Sequence, residues 1–221
     1  GRQLAFLQLD QSQVPDYQVS DSISFAQTLE DTRYPKAGQP LPQVGVWLVN
    51  VTDGDLRAVD LSEFAEDDRL VARVSWSPAG EVWLQVFNRV QNQQAVVRVD
   101  ATSGKSQTLF TEVSPGWIEV RGTPEFLPSG DFLWLSDLPE GRTHLFRVSV
   151  TDGRKTQLTS GDWDVDALQS LSADSSTAFV SGNISSPIES HLLAVNLDTG
   201  LVTQITFAPG SHRTRVDKSG A

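Results

Sequence analysis

The sequence predicts an all-β fold assembled from repeated four-stranded antiparallel sheets, and three observations predict it. First, a tight-turn pair recurs as Asp53-Gly54, Ser103-Gly104, Asp152-Gly153 and Thr199-Gly200, with glycines 50, 49 and 47 residues apart. Second, Ser77-Pro78-Ala79-Gly80 returns as Leu127-Pro128-Ser129-Gly130 and, more loosely, as Ser172-Ala173-Asp174-Ser175. Third, the stretches between these anchors are short and alternating, as strands with a buried face require. A repeat of this length is the signature of propellers and related arrays. The expected architecture is therefore a partial β-propeller of about four four-stranded antiparallel blades with one extended insertion.

Along the chain, Gly1-Arg2-Gln3-Leu4-Ala5-Phe6 resembles the stretch just after the Gly80 anchor, yet the interval between them is about 30 residues too long for one repeat. The surplus falls at about residues 11–43, a stretch that holds Pro15, Pro35, Pro40 and Pro42 and sustains no alternation, so it reads as an extension leaving a blade. In the later units, Phe146, Val148 and Val150 share one face against Arg147 and Ser149, and Leu193, Val195 and Leu197 repeat this against Ala194 and Asn196. Each of these units closes alike, with Thr156-Gln157-Leu158-Thr159 answered by Thr203-Gln204-Ile205-Thr206. Residues 1–221 are thus expected to form a fragment of a single propeller domain. Trp76, Trp83 and Trp134 lie in strand patterns where large rings would fill the space between blades.

Composition narrows the classes of function. The 221 residues carry a net charge of −11, which repels phosphate backbones and argues against nucleic-acid binding. With no cysteine there is neither a disulfide nor a thiolate site nor a thiol nucleophile. The longest apolar run, Val44 to Val49, is far short of the roughly 20 residues that span a bilayer, so no membrane span is expected here. The sequence opens on Gly1 and holds no methionine, from which we expect an excised segment of a longer protein.

Motifs for chemistry are sparse. No G-x-S-x-G nucleophile elbow occurs, and the nearest approach, Gly104-Lys105-Ser106-Gln107-Thr108, lacks the last glycine and sits where each repeat places a hairpin turn. His144, His191 and His212 show no metal-ligand spacing, and His144 and His191 occupy the same point of successive repeats, which points to a structural position. The acidic cluster Glu63, Glu66, Asp67, Asp68 lacks the alternating ligands of a calcium loop and reads as a solvated connection. No catalytic residue and no metal ligand is expected. Asn50-Val51-Thr52 and Asn183-Ile184-Ser185 match the glycosylation sequon, a short pattern that often goes unused.

An ordered set of segments carries a family resemblance. Arg33-Tyr34-Pro35-Lys36-Ala37-Gly38, preceded by Val14-Pro15, resembles the RYPKAG motif of the dipeptidyl peptidase IV family of serine peptidases, in the prolyl oligopeptidase clan. Val71 to Trp76, Asn88-Arg89-Val90-Gln91-Asn92, Trp117-Ile118-Glu119-Val120, Gly141 to Leu145 and Gln157 to Val165 resemble further family segments in family order. Asp137, Phe146 and Asp164 depart from the family pattern, standing where Glu, Tyr and Glu are usual.

The resemblance implies an eight-bladed propeller joined to an α/β-hydrolase domain in an exopeptidase that removes Xaa-Pro or Xaa-Ala dipeptides from peptide amino termini. This chain would be about half of that propeller, inactive alone, walling the cavity so as to gate and position peptide substrate. The catalytic Ser, Asp and His, the Glu pair that holds the substrate ammonium and its upstream Arg have no counterpart here, and the Glu pair is expected just before residue 1. Trp117, Glu119 and Arg121 resemble a segment that approaches the substrate cavity; an inter-blade contact with Glu119 and Arg121 paired locally is the plainer alternative. Tyr17, Ile23, Phe25 and Leu29 fall on an arm resembling the one family members use to dimerise, which implies a homodimeric parent; a flap folded back on its own blade is the plainer alternative. No cofactor is implied, and a periplasmic, secreted or membrane-anchored parent is expected. The alternative is a free-standing propeller that binds protein partners.

Overall fold

The computed structural model describes residues 1–216 apart from Ser22 and Ser24. Seventeen strands and no helix occur among them. Three sheets are four-stranded and antiparallel. The earliest of these in the chain orders β6 (Arg69–Trp76), β7 (Val82–Asn88), β8 (Gln93–Val99) and β9 (Ser106–Val113). The next orders β10 (Glu125–Phe126), β11 (Phe132–Ser136), β12 (His144–Val148) and β13 (Lys155–Gln157), and the last β14 (Val165–Leu171), β15 (Thr177–Gly182), β16 (His191–Asn196) and β17 (Val202–Gln204). These are successive propeller blades, and they form an open arc rather than a closed ring.

The amino-terminal sheet has one strand fewer among the described residues. It holds three, β1 (Gln3–Asp10), β4 (Gln43–Asn50) and β5 (Leu56–Ala58), in the order β1-β4-β5. Gly54 sits in the β4–β5 turn as Gly104 sits in the β8–β9 turn, so these strands correspond to the second, third and fourth of a complete blade.

The alternation is strongest where one face alone is covered and disappears where both are. Every residue of β11 and all but the last of β7 are buried, because each middle strand lies between two neighbouring sheets. Val82, Leu84 and Val97 pack toward Val46 and Leu48 of the amino-terminal sheet, whereas Trp83 and Val96 join Phe132, Trp134 and Val148 of the next. The third layer packs Leu133, Leu135 and Leu145 against Val165, Val180, Leu193 and Val195. Burying each such aliphatic side chain contributes about 1.5–3 kcal/mol, so the faces between sheets are where most of the stability arises.

Trp83 and Trp134 fill an interface between sheets as expected, with Trp83 edge-on to Phe126 and Phe132 at 5.5 Å. Trp76 does not. As the last residue of an edge strand it remains 39% exposed.

The insertion is a hairpin leaving the amino-terminal sheet between its first and second strands. β2 (Asp16–Ser20) pairs with β3 (Leu29–Arg33). The RYPKAG-like segment clamps its base. Arg33 reaches the Asp16 carboxylate at 3.0 Å and the Val14 carbonyl at 2.6 Å, Tyr34 packs on Tyr17, and the Lys36 ammonium lies 4.4 Å from the Tyr17 ring centre. Beyond that base Ile23, Phe25 and Leu29 are exposed, Ile23 and Phe25 almost completely.

Candidate functional site

The connection from β9 to β10, residues 114–124, carries the three cavity candidates. Ile118 is buried at 3% exposure and anchors the segment, while Trp117 (58% exposed) and Glu119 lie on its solvent side. Arg121 turns inward. Its guanidinium lies 3.5 Å from the Asp137 carboxylate at the end of β11, both side chains being half-buried, so the local partner is Asp137 and not Glu119. Asp137 was visible in the sequence only as a departure from the family pattern; its pairing with Arg121, 16 residues away, needed the fold.

Arg121, Gly122, Thr123 and Glu125 form one wall of a 760 Å³ cleft whose other wall is β14 from Asp166 onward. The cleft thus lies between corresponding edge strands of two successive sheets, β10 and β14. It juxtaposes one cation, Arg121, with the carboxylates of Glu125 and Asp166, and Asp166 also accepts the Ser190 hydroxyl at 2.8 Å. Such a wall can orient a charged peptide end by ion pairing. Of the three candidates, Arg121 is the one brought to the cleft.

The structure accounts for the other motifs as fasteners between strands and sheets. His144 bonds the Thr159 hydroxyl and the Gly161 carbonyl, each at 3.2 Å, under the edge of Trp163. His191 repeats the arrangement with Thr206 at 3.3 Å, but takes Glu189 in place of the carbonyl, and that contact holds the Glu189 carboxyl below its ordinary range. Arg142 spans Asp162 and Asp164. Burial pushes the Asp164 carboxyl up, but the Thr143 amide and the Arg142 guanidinium outweigh it and hold the group below its usual value. Asn183 of the second sequon accepts from the Asp164 amide at 2.6 Å.

None of these contacts pairs a serine with a histidine. The Ser106 hydroxyl donates to the Asp60 carbonyl of the preceding sheet, and the His212 ring meets the Ala208 carbonyl. Among the described residues no group of three histidine or acidic side chains could hold a metal ion, and no helix is long and apolar enough to cross a membrane.

Repeated four-stranded sheets fastened face to face, with a cleft between corresponding edges and a hairpin arm leaving one sheet, define a propeller segment. The chain belongs to the dipeptidyl peptidase IV N-terminal region family, whose model matches residues 1–221. It is 27% identical over 218 residues to dipeptidyl peptidase 4 of Arthroderma otae, covering 93% of this chain and 28% of that protein. It is 28% identical over 232 residues to an Emericella nidulans protein assigned as a dipeptidyl-aminopeptidase B, covering 93% of this chain and 26% of that one. In fold it is similar to the crystal structure of Porphyromonas gingivalis dipeptidyl peptidase 4, with a TM-score of 0.83 and 24% identity over 95% of this chain and 30% of that one. A Bacteroides ovatus structure assigned to dipeptidyl aminopeptidase IV superposes with a TM-score of 0.88 and 24% identity, over 100% of this chain and 34% of that one. The chain spans about a quarter of the relatives and about a third of the solved structures.

Proposed function

We propose that this chain is the non-catalytic propeller portion of a dipeptidyl peptidase IV-like serine exopeptidase, in which it walls the cavity that admits and orients peptide substrates. The observation that carries the reading is the cleft between β10 and β14, with Arg121 braced by Asp137 at its wall. Family membership adds the class of reaction. In this reading a separate α/β-hydrolase domain supplies the nucleophile, and the propeller contributes steric exclusion of folded proteins and orientation of the peptide end. Removal of amino-terminal Xaa-Pro or Xaa-Ala dipeptides is the proposed activity of the parent. The hairpin arm, with Tyr17, Ile23, Phe25 and Leu29, is proposed to contact a second copy.

The test replaces Arg121 by alanine in the full-length parent and follows release of p-nitroaniline from Gly-Pro-p-nitroanilide. Losing a charged hydrogen bond to substrate costs about 1.5–3 kcal/mol, so KM rises by roughly tenfold or more while kcat stays within about threefold. An unchanged KM in a folded Arg121→Ala enzyme overturns the assignment of this wall.

A further inference from the structure

We propose that Gln85, together with Gln94 and the Asn88–Gln93 turn, is a positioning element that holds the Trp117–Arg121 segment against the substrate cavity. The inference rests on the proposed function and extends it to residues that touch no substrate.

Gln85 is a polar residue where the repeat calls for an apolar one. Gln85 stands five residues after Gly80; the residues five after Gly130 and Ser175 are Leu135 and Val180. All three positions are buried, Gln85 at 1% exposure. Burying an amide without a partner is costly, so a glutamine there needs compensating bonds. It has them. Gln85 Nε2 donates to the Gly122 carbonyl at 2.6 Å, and Gln85 Oε1 accepts from Gln94 Nε2, itself 2% exposed, at 3.1 Å. Gln85 lies on the same face of β7 as Trp83, which packs toward the following sheet. The relay therefore crosses an interface between sheets and ends on the backbone beside Arg121.

Two further attachments come from the turn joining β7 to β8. The Ser114 amide donates to the Asn92 carbonyl at 2.9 Å, and the Ile118 amide donates to the Gln91 carbonyl at 2.8 Å. The turn is itself tied by Asn88, whose amide nitrogen donates to Asn92 Oδ1 at 2.7 Å and whose Oδ1 accepts the Asn92 and Gln93 amides. Gln91 is held at φ 54, a left-handed conformation uncommon outside glycine. The segment is thus pinned at Ser114, Ile118 and Gly122, every fourth residue. Trp117 and Arg121 each sit one residue before a pinned position.

The test uses the full-length parent with Gln85→Met and Gln94→Met combined. Replacing both amides by apolar chains of similar shape leaves no orphaned side-chain donor in the core, so the fold is retained while the tie to Gly122 is lost. Hydrogen exchange across 114–123 is expected to accelerate about tenfold with the rest of the propeller unchanged, and KM for Gly-Pro-p-nitroanilide to rise about tenfold with kcat within about threefold. Unchanged exchange overturns the proposal. So does faster exchange with unchanged KM, or a fall in kcat alone that tracks the folded fraction. If the wild-type parent turns over no such substrate, the proposed peptidase function fails, and exchange alone then decides whether Gln85 anchors the segment. Should the double variant not fold, Asn88→Ala on the half-exposed turn is held to the same two readouts.

Discussion

At Gly153, two demands meet on one residue. Its φ is +70°, in the left-handed region, and a Cβ there would stand 2.4 Å from the Leu109 carbonyl oxygen of the preceding sheet. Gly54, at φ +75° in the corresponding turn of the amino-terminal sheet, has open space where its Cβ would be. The pair separates conformation from packing. Gly54→Ala should cost only the left-handed strain, about 1–2 kcal/mol, and Gly153→Ala should cost a further 1–3 kcal/mol, roughly, for the clash between sheets. Urea unfolding of the two variants checks the difference, and equal losses would mean that the turns do not pack as described. The recurring glycines were legible because a tight turn demands them on local grounds. Which of them also touches the preceding sheet was not, since that contact joins residues more than 40 apart. The tryptophans could not be told apart for the same reason: Trp76 and Trp83 share a strand-like pattern, and only the position of β6 at the sheet edge exposes the first. Arg121 was legible as a candidate through resemblance, but its partner Asp137 and the Gln85 relay were not.

Among the elements, the hairpin β2–β3 is the one whose shape the sequence concealed. The break in the period was visible, and so were the apolar residues with no blade core to bury them. Its strands were hidden because DYQVS is exposed throughout and LEDTR nearly so, so no covered face imposes alternation. The base is held by the Arg33–Asp16 pair and by Tyr34 and Lys36 packed on Tyr17, while Ile23 and Phe25 beyond it meet solvent. Exposed apolar residues on an arm of this kind are suited to a two-fold partner presenting the same patch in return. Deleting Ser20 to Glu30 from the full-length parent removes the tip and leaves the clamp. Sedimentation should then show a dimeric parent become a folded monomer; a dimer of unchanged affinity would exclude the arm as the interface.

Over the whole molecule, the period placed the blades correctly, because each repeat is one antiparallel unit that must bury both of its faces against neighbours. The likeness of Gly1–Phe6 to the stretch after Gly80 likewise set β1 as the second strand of its unit, while its pairing with β4 across the insertion needed the fold. The assembled arc presents a cleft with Arg121 in one wall, where the guanidinium meets Asp137 and Gln85 bonds the neighbouring Gly122 carbonyl. The Ser106 hydroxyl is committed to a backbone carbonyl, and the three histidines to threonine, glutamate and backbone partners. In the proposed function this wall serves a peptidase and performs no chemistry itself. The direct measurement is release of p-nitroaniline from Gly-Pro-p-nitroanilide by the full-length parent and by the isolated 221-residue chain at equal molarity. The parent is expected to turn over substrate in a reaction blocked by a serine-directed phosphonate, and the chain alone to show the buffer rate. An inert parent, or an isolated chain that turns over substrate and is itself labelled by the phosphonate, would contradict it.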